Sequence, residues 1–289
     1  MLSGRNPSVQ SDSLELRLDC PGRPLHNGHY AQSKGISRMK LLPIILSVLL
    51  AASNLAAGKG TTPPTTSTLL QPCVILLHGL ARSSSSMKKM AKALSNSGYL
   101  VQNTAYPSTE KSVSELASEV IPAAVERCLQ DGDRSINFVS HSMGGILIRY
   151  YLEENELDNL GRVVMLSPPN QGSEVVDTLA DVPGYMAVNG PAGQQLGTDS
   201  ESVLSQLGPA TFEVGIITGD RSINLFLSMM IPGDDDGKVS IERAKLEGMA
   251  DFLVVPYSHP FIMKKDLVIR QVLYFLEHGR FEADEDAGA

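Results

Sequence analysis

Ser142 stands where an apolar strand pattern, Ile136-Asn137-Phe138-Val139-Ser140-His141, gives way to a helical one, Met143-Gly144-Gly145-Ile146-Leu147-Ile148. A serine on such a sharp turn is lifted above its sheet, its hydroxyl exposed and the next N–H aimed at a developing oxyanion, which makes it a candidate nucleophile. Gly144 lets the helix backbone pass close to the strand. Two residues before Ser142 the G-x-S-x-G pattern asks for glycine, and this chain has Ser140. The chemistry therefore depends on whether the rest of the chain supplies a base, an acid and a second oxyanion donor in the expected order.

Four histidines follow the N-terminal leader. His78 ends a strand-like run, and His141 directly precedes Ser142, so its side chain is expected to project away from it. His278 closes the last helix beside Gly279, where a surface cap favoured by the helix dipole is expected. His259, in Val255-Pro256-Tyr257-Ser258-His259-Pro260-Phe261, follows the last strand, on the carboxyl-end loops where open α/β sheets bind ligands. The acid belongs between serine and histidine in chain order. Asp220, in Ile217-Thr218-Gly219-Asp220, and Asp236, in Asp234-Asp235-Asp236-Gly237-Lys238-Val239-Ser240, both qualify.

The elements that must position these residues alternate. Continuous apolar or β-rich runs at Val74 to Leu77, Leu100 to Ala105, the strand before Ser142, Arg162 to Leu166, Val214 to Thr218 and Phe252 to Val255 read as strands. Helical spacing covers Ser86 to Ser97, Val113 to Leu129 with a kink site at Pro122, the segment after Ser142 to about Leu152, and Lys264 to Glu277. The alternation predicts an α/β fold, a mostly parallel sheet with helices on both faces. Residues 168 to 211 have weak periodicity and read as a loop-rich insertion above the sheet, with Pro168 to Ser173 bordering a pocket. Leu225 to Pro232 is an apolar run suited either to an acyl pocket or to a core helix.

These residues carry a family resemblance. The span from Cys73 to Phe281 resembles the α/β-hydrolase superfamily, and most closely its bacterial secreted lipase and esterase branch. The resemblance rests on His78-Gly79-Leu80, on Ser140-His141-Ser142-Met143-Gly144, and on Asp236-Gly237-Lys238-Val239-Ser240 with His259 following. In similar lipases an Asp-Gly-x-Val motif supplies the catalytic acid, so the resemblance implies Asp236, with Asp220 as the alternative. Two oxyanion donors are needed, and the turns carrying them point to the N–H groups of Met143 and Leu80, with Gly79 allowing close approach. His78 then steadies the loop.

The ends of the chain have a different character. Met39-Lys40 precedes an apolar run of 12 residues, Leu41 to Ala52, and small residues through Ala57, so residues 39–57 read as a signal peptide too short to span a bilayer. Residues 1–38 read as a disordered extension or a misassigned start, 58–71 as a Pro and Thr linker, 72–281 as the hydrolase domain and 282–289 as an acidic tail. The chain has a net charge of -8, and removing the basic leader leaves about -11, which argues against nucleic acid as a partner. Of three cysteines, Cys20 lies in the leader. Cys73 and Cys128 reach the same edge of the sheet, as a disulfide or as two buried thiols. No zinc-spaced cluster or Gly-rich phosphate loop occurs, so no cofactor is expected.

Together these features predict an exported serine hydrolase acting on small-molecule or lipid esters, with no membrane span in the mature chain. The same residues suit an amide, a thioester or acyl transfer. A binding protein on a hydrolase scaffold is the alternative of another class.

Overall fold

Cys73, Ile75 and Leu77 point to one face of the first strand, Val74 and Leu76 to the other, and all five are fully buried. Such a strand is satisfied only when both faces of its sheet are covered. The computed structural model, which describes residues 70–200 and 202–283, has this arrangement. The extension, the signal peptide, the linker up to residue 69 and the tail from residue 284 lie outside the described residues.

Six strands, β1 (Cys73–Leu77), β2 (Leu100–Thr104), β3 (Ile136–His141), β4 (Leu160–Leu166), β5 (Val214–Gly219) and β6 (Asp251–Val255), form one sheet in the order β2-β1-β3-β4-β5-β6. Every neighbouring pair is parallel. The helices are α1 (Lys88–Asn96), α2 (Val113–Leu129), α3 (Met143–Glu154), α4 (Glu174–Leu179), α5 (Tyr185–Gln194), α6 (Leu225–Ser228), α7 (Ile241–Ala244) and α8 (Asp266–His278). α1 and α8 cover one face, through Met90, Leu94, Val268, Val272 and Phe275. α2 and α3 cover the other, through Leu116, Ile121, Ala124, Ile146 and Leu147.

α2 opens with a capping box: Ser112 Oγ accepts from Glu115 N at 3.3 Å, and Ser112 N donates to the Glu115 carboxylate at 2.9 Å. Pro122 lies inside this helix without ending it. A disulfide joins Cys128 near the end of α2 to Cys73 at the start of β1, with Cα atoms 5.8 Å apart and both residues fully buried.

Two segments differ from their sequence patterns. Residues 168–211 hold α4, α5 and a 3-10 turn at Val203–Gln206, whereas weak periodicity predicts loops. These elements are short, and α5 is broken at Gly190 and Pro191, so no face repeats long enough to register as a period. The run from Leu225 to Pro232 forms α6 and the turn after it, and the core-helix alternative does not hold. Leu225 and Met229 are 77% and 84% exposed, Phe226 is exposed too, and none of the three lines the cavity described below. Apolar composition identified a hydrophobic segment but not what covers it.

Candidate active site

The turn after β3 positions Ser142 at φ 53°, ψ -123°, and the other described non-glycine residues at positive φ are Ala81 and Ser167. All three follow strands at the carboxyl edge of the sheet, where a positive-φ side chain costs on the order of 1–3 kcal/mol and persists only when the surroundings hold it. Ser142 N–H donates to Leu166 O at 2.8 Å, and Gly145 N–H donates to Ser142 O at 2.9 Å, which pin the turn. A Cβ on Gly144 would lie 2.8 Å from Leu77 O and 2.9 Å from His78 O. Those are backbone atoms that cannot swing aside, so glycine is required there. The serine at position 140 is accommodated from across the turn: a Cβ on Gly145 would come within 3.2 Å of Ser140 Oγ, and glycine leaves that space free.

The loop after β1 lies against this turn. A Cβ on Gly79 would be 2.8 Å from His141 Nδ1 and 3.1 Å from Ser142 Cβ, so the Gly79-Leu80 backbone passes directly beside the serine. His78 anchors the loop: its Nδ1–H donates to Gly79 O at 2.9 Å and its ring stacks on Tyr106 at 4.0 Å. The Tyr106 hydroxyl donates in turn to His78 O. Burial lowers the His78 pKa and raises that of Tyr106, so both rings stay neutral. Met143 is the first residue of α3, and the first N–H groups of a helix have no intrahelical acceptor.

His259 and Asp236 are both buried. His259 Nδ1–H donates to Asp236 Oδ2 at 2.8 Å, while Oδ1 accepts from the N–H groups of Lys238 at 3.0 Å and Val239 at 2.9 Å. All the bonds that orient the carboxylate thus come from its own turn and from the histidine. Asp220 follows β5 directly, is partly exposed, and faces Arg221 at 3.5 Å instead. His278 accepts the role expected of it, with Nδ1–H donating to Tyr274 O at 3.0 Å.

His141 departs from its sequence reading. Strand alternation turns its side chain off the Ser142 axis, yet the abrupt turn at Ser142 ends that alternation and leaves the imidazole beneath the site. Its Nε2–H donates to His259 O at 3.0 Å, and the two rings are 4.8 Å apart. Burial holds its pKa well below the ordinary value, with the charges of His259, Arg82 and Lys238 acting in the same direction and the bond to His259 O opposing them. It is therefore a neutral donor that positions the His259 backbone. The only sequence signal for this role was a histidine next to the serine.

Ser142, His141 and His259 line one cavity with Leu80, Arg82, Lys238 and an apolar wall of Pro169, Val175, Val176, Leu196 and Val239. The wall brings in the Pro168 to Ser173 segment as expected, and adds α4, whose part the sequence did not signal. The cavity's free volume is about 50 Å³, below that of a ligand-sized pocket. A larger concavity of about 400 Å³ runs past Arg149 and Asn170 without reaching Ser142 or His259. The Arg149 guanidinium there donates to the carbonyls of Asn170, Leu207 and Gly208 and ties α3 to neighbouring loops.

The family model for palmitoyl protein thioesterase matches residues 73–209, the span from β1 through the turn at Ser142 that stops short of Asp236 and His259. No curated protein matches the chain. Among solved structures, the mature form of Bacillus licheniformis lipase BlEst2 aligns at TM-score 0.62 and 22% identity, over 72% of this chain and 92% of that one. Aspergillus fumigatus lipase B aligns at TM-score 0.56 and 14% identity over 76% of this chain and 55% of that one. The metagenomic carboxyl esterase MGS0156 aligns at TM-score 0.52 and 17% identity over 72% and 71%. The chain has the α/β-hydrolase fold that these structures share, and its residues 73–209 are similar to the palmitoyl protein thioesterase family.

Proposed function

We propose that this protein is an exported serine hydrolase that cleaves carboxylic esters through an acyl-enzyme. The observation that carries the reading is the convergence, in one cavity, of a serine held at positive φ and a buried imidazole bonded to a buried carboxylate. Ser142 Oγ attacks the ester carbon while His259 Nε2 takes its proton. Asp236 holds the imidazole in the tautomer that leaves Nε2 free, and stabilises the imidazolium that forms. The N–H groups of Met143 and Leu80 receive the oxyanion, each worth about 2.7–4 kcal/mol in the transition state. His259 returns the proton to the leaving alcohol, and water then releases the acyl group by the same route.

Export rests on the leader at residues 39–57, and the Cys73 to Cys128 disulfide accords with an oxidising compartment. The thioesterase match over 73–209 favours one second reading, the same machinery acting on an acyl thioester. A fluorophosphonate probe tests the nucleophile: labelling confined to Ser142 is expected, and labelling elsewhere or none rejects the reading. Matched oxygen esters and thioesters of one acyl chain then separate the two substrate classes by kcat/KM.

A further inference from the structure

The charge around the cavity is opposite to that of the chain. The protein has a net charge of -8, yet among the described residues the ionisable groups lining the cavity besides its histidines and Tyr185 are Arg82 and Lys238, and no described carboxylate lines it. The two cations reach the cavity from different elements, Arg82 from the loop after β1 and Lys238 from the turn that carries Asp236. Neither has an ion-pair partner among the described residues.

The nearby carboxylates are already committed. Asp236 lies behind the cavity wall and spends its two oxygens on three hydrogen bonds. Glu174, beside Val175 of the wall, is bridged to Arg243, and Asp220 faces Arg221. Asp177 binds Thr198 through both its oxygens. The cations are also close enough to be felt: desolvation lowers the Lys238 pKa and the Arg82 charge lowers it further, against the opposing pull of Asp236. Both charges also depress His141. Two like charges brought to one cavity with no ion-pair partner among the described residues repel, and that repulsion is relieved by an anion placed between them.

The rest of the lining limits where such an anion can belong. Pro169, Val175, Val176, Leu196 and Val239 form an apolar wall that suits a hydrocarbon chain. A substrate that satisfies both surfaces is amphipathic, with its acyl chain on the wall and its charge toward Arg82 and Lys238.

We propose that the substrate is an acyl ester or thioester whose leaving group carries an anion, a phosphate or a carboxylate, received by Arg82 and Lys238. This deepens the hydrolase reading and rests on it. The two residues are specificity determinants: they select the leaving group and take no part in bond making.

Two matched substrate pairs test the proposal and distinguish the anions. One pairs nitrophenyl octanoate with the octanoyl ester of hydroxynitrobenzoate, which adds a carboxylate. The other pairs octanoylglycerol with octanoylglycerol phosphate. The wild-type enzyme is expected to prefer the charged member of at least one pair in kcat/KM, and the pair concerned identifies the anion. In the double variant Arg82→Gln, Lys238→Gln the charged-to-neutral ratio should fall by about tenfold, chiefly through KM, and each single variant should give part of that loss. Raising NaCl from about 20 to about 500 mM should lower the ratio in the wild type and leave it nearly flat in the double variant.

Binding of octyl phosphate, followed by calorimetry on the wild type and the double variant, reads the same cations without turnover. About tenfold weaker binding in the double variant supports the proposal even if no ester is cleaved, in which case the hydrolase reading alone fails. Equal preference within both pairs, or a ratio and an octyl phosphate affinity unmoved by the double variant, overturns it.

Discussion

His259 and Asp236 are joined twice, by side chains and by backbone. The imidazole Nδ1–H donates to Asp236 Oδ2 at 2.8 Å, and the His259 backbone N–H donates to Asp236 O at 2.9 Å. The second bond fixes the distance between the two loops before the side chains meet, so the imidazole reaches the carboxylate with little rotamer freedom left to lose. His141 adds a third tie by donating to His259 O.

This pairing separates the two candidate acids. Asp236→Asn is expected to lower kcat by about 10⁴-fold with KM little changed, because an amide cannot hold the imidazole in its working tautomer. Asp220→Asn, which disturbs only a partly exposed contact with Arg221, should cost less than about fivefold. Steady-state kinetics of the two variants decide the matter, and a larger loss at Asp220 would reverse the assignment.

Ser142→Ala should leave the fold intact and reduce ester turnover to below about a hundredth of the wild-type value. Alanine keeps the small Cβ that the turn already accommodates, so circular dichroism and thermal unfolding should match the wild type closely. Retained turnover above that level would mean that another group is the nucleophile.

Stability should depend on pH through His141. Its pKa is held well below the ordinary value in the folded protein, chiefly by burial, and returns to about 6.5 on unfolding. The unfolded chain therefore binds a proton that the folded one refuses, so stability falls as pH is lowered through about 6.5 and is unaffected well above it. The loss has a limiting slope of about 1.4 kcal/mol per pH unit for each such histidine, and His78 acts in the same direction. Urea unfolding of the wild type and His141→Gln at pH values of about 7.5 and 5.5 measures the effect. The variant, which keeps an N–H donor but cannot titrate, should lose less stability on acidification. An unchanged loss would place the effect elsewhere.

The disulfide closes a loop with a sequence separation of 55 residues. By chain entropy such a bridge contributes about 4 kcal/mol, and removing it by the double substitution Cys73→Ser, Cys128→Ser should lower stability by roughly 2–4 kcal/mol. Guanidinium unfolding of oxidised wild type against the double variant reads this directly. Equal midpoints would show that the bridge adds no stability.

The order of elements was legible in the sequence because it depends on local repeats. Apolar runs at Val74 to Leu77 and Val214 to Thr218 have the pattern expected of strands covered on both faces, and the switch from strand to helical spacing at Ser142 marks the turn. The order serine, acid, histidine was readable too, but the residues left Asp220 and Asp236 both open and only the family resemblance implied Asp236. What brings them together was not. Asp220 and Asp236 both follow β5 within reach of a histidine loop, and only the hydrogen bonds from Lys238 N, Val239 N and His259 decide which carboxylate turns inward. The exposure of Leu225 and Met229, the place of His141 beneath the site and the meeting of Arg82 with Lys238 are likewise invisible to periodicity. Local spacing determines which face of an element is apolar, whereas the partners of a loop are set by long-range contacts between residues whose separation along the chain carries no period.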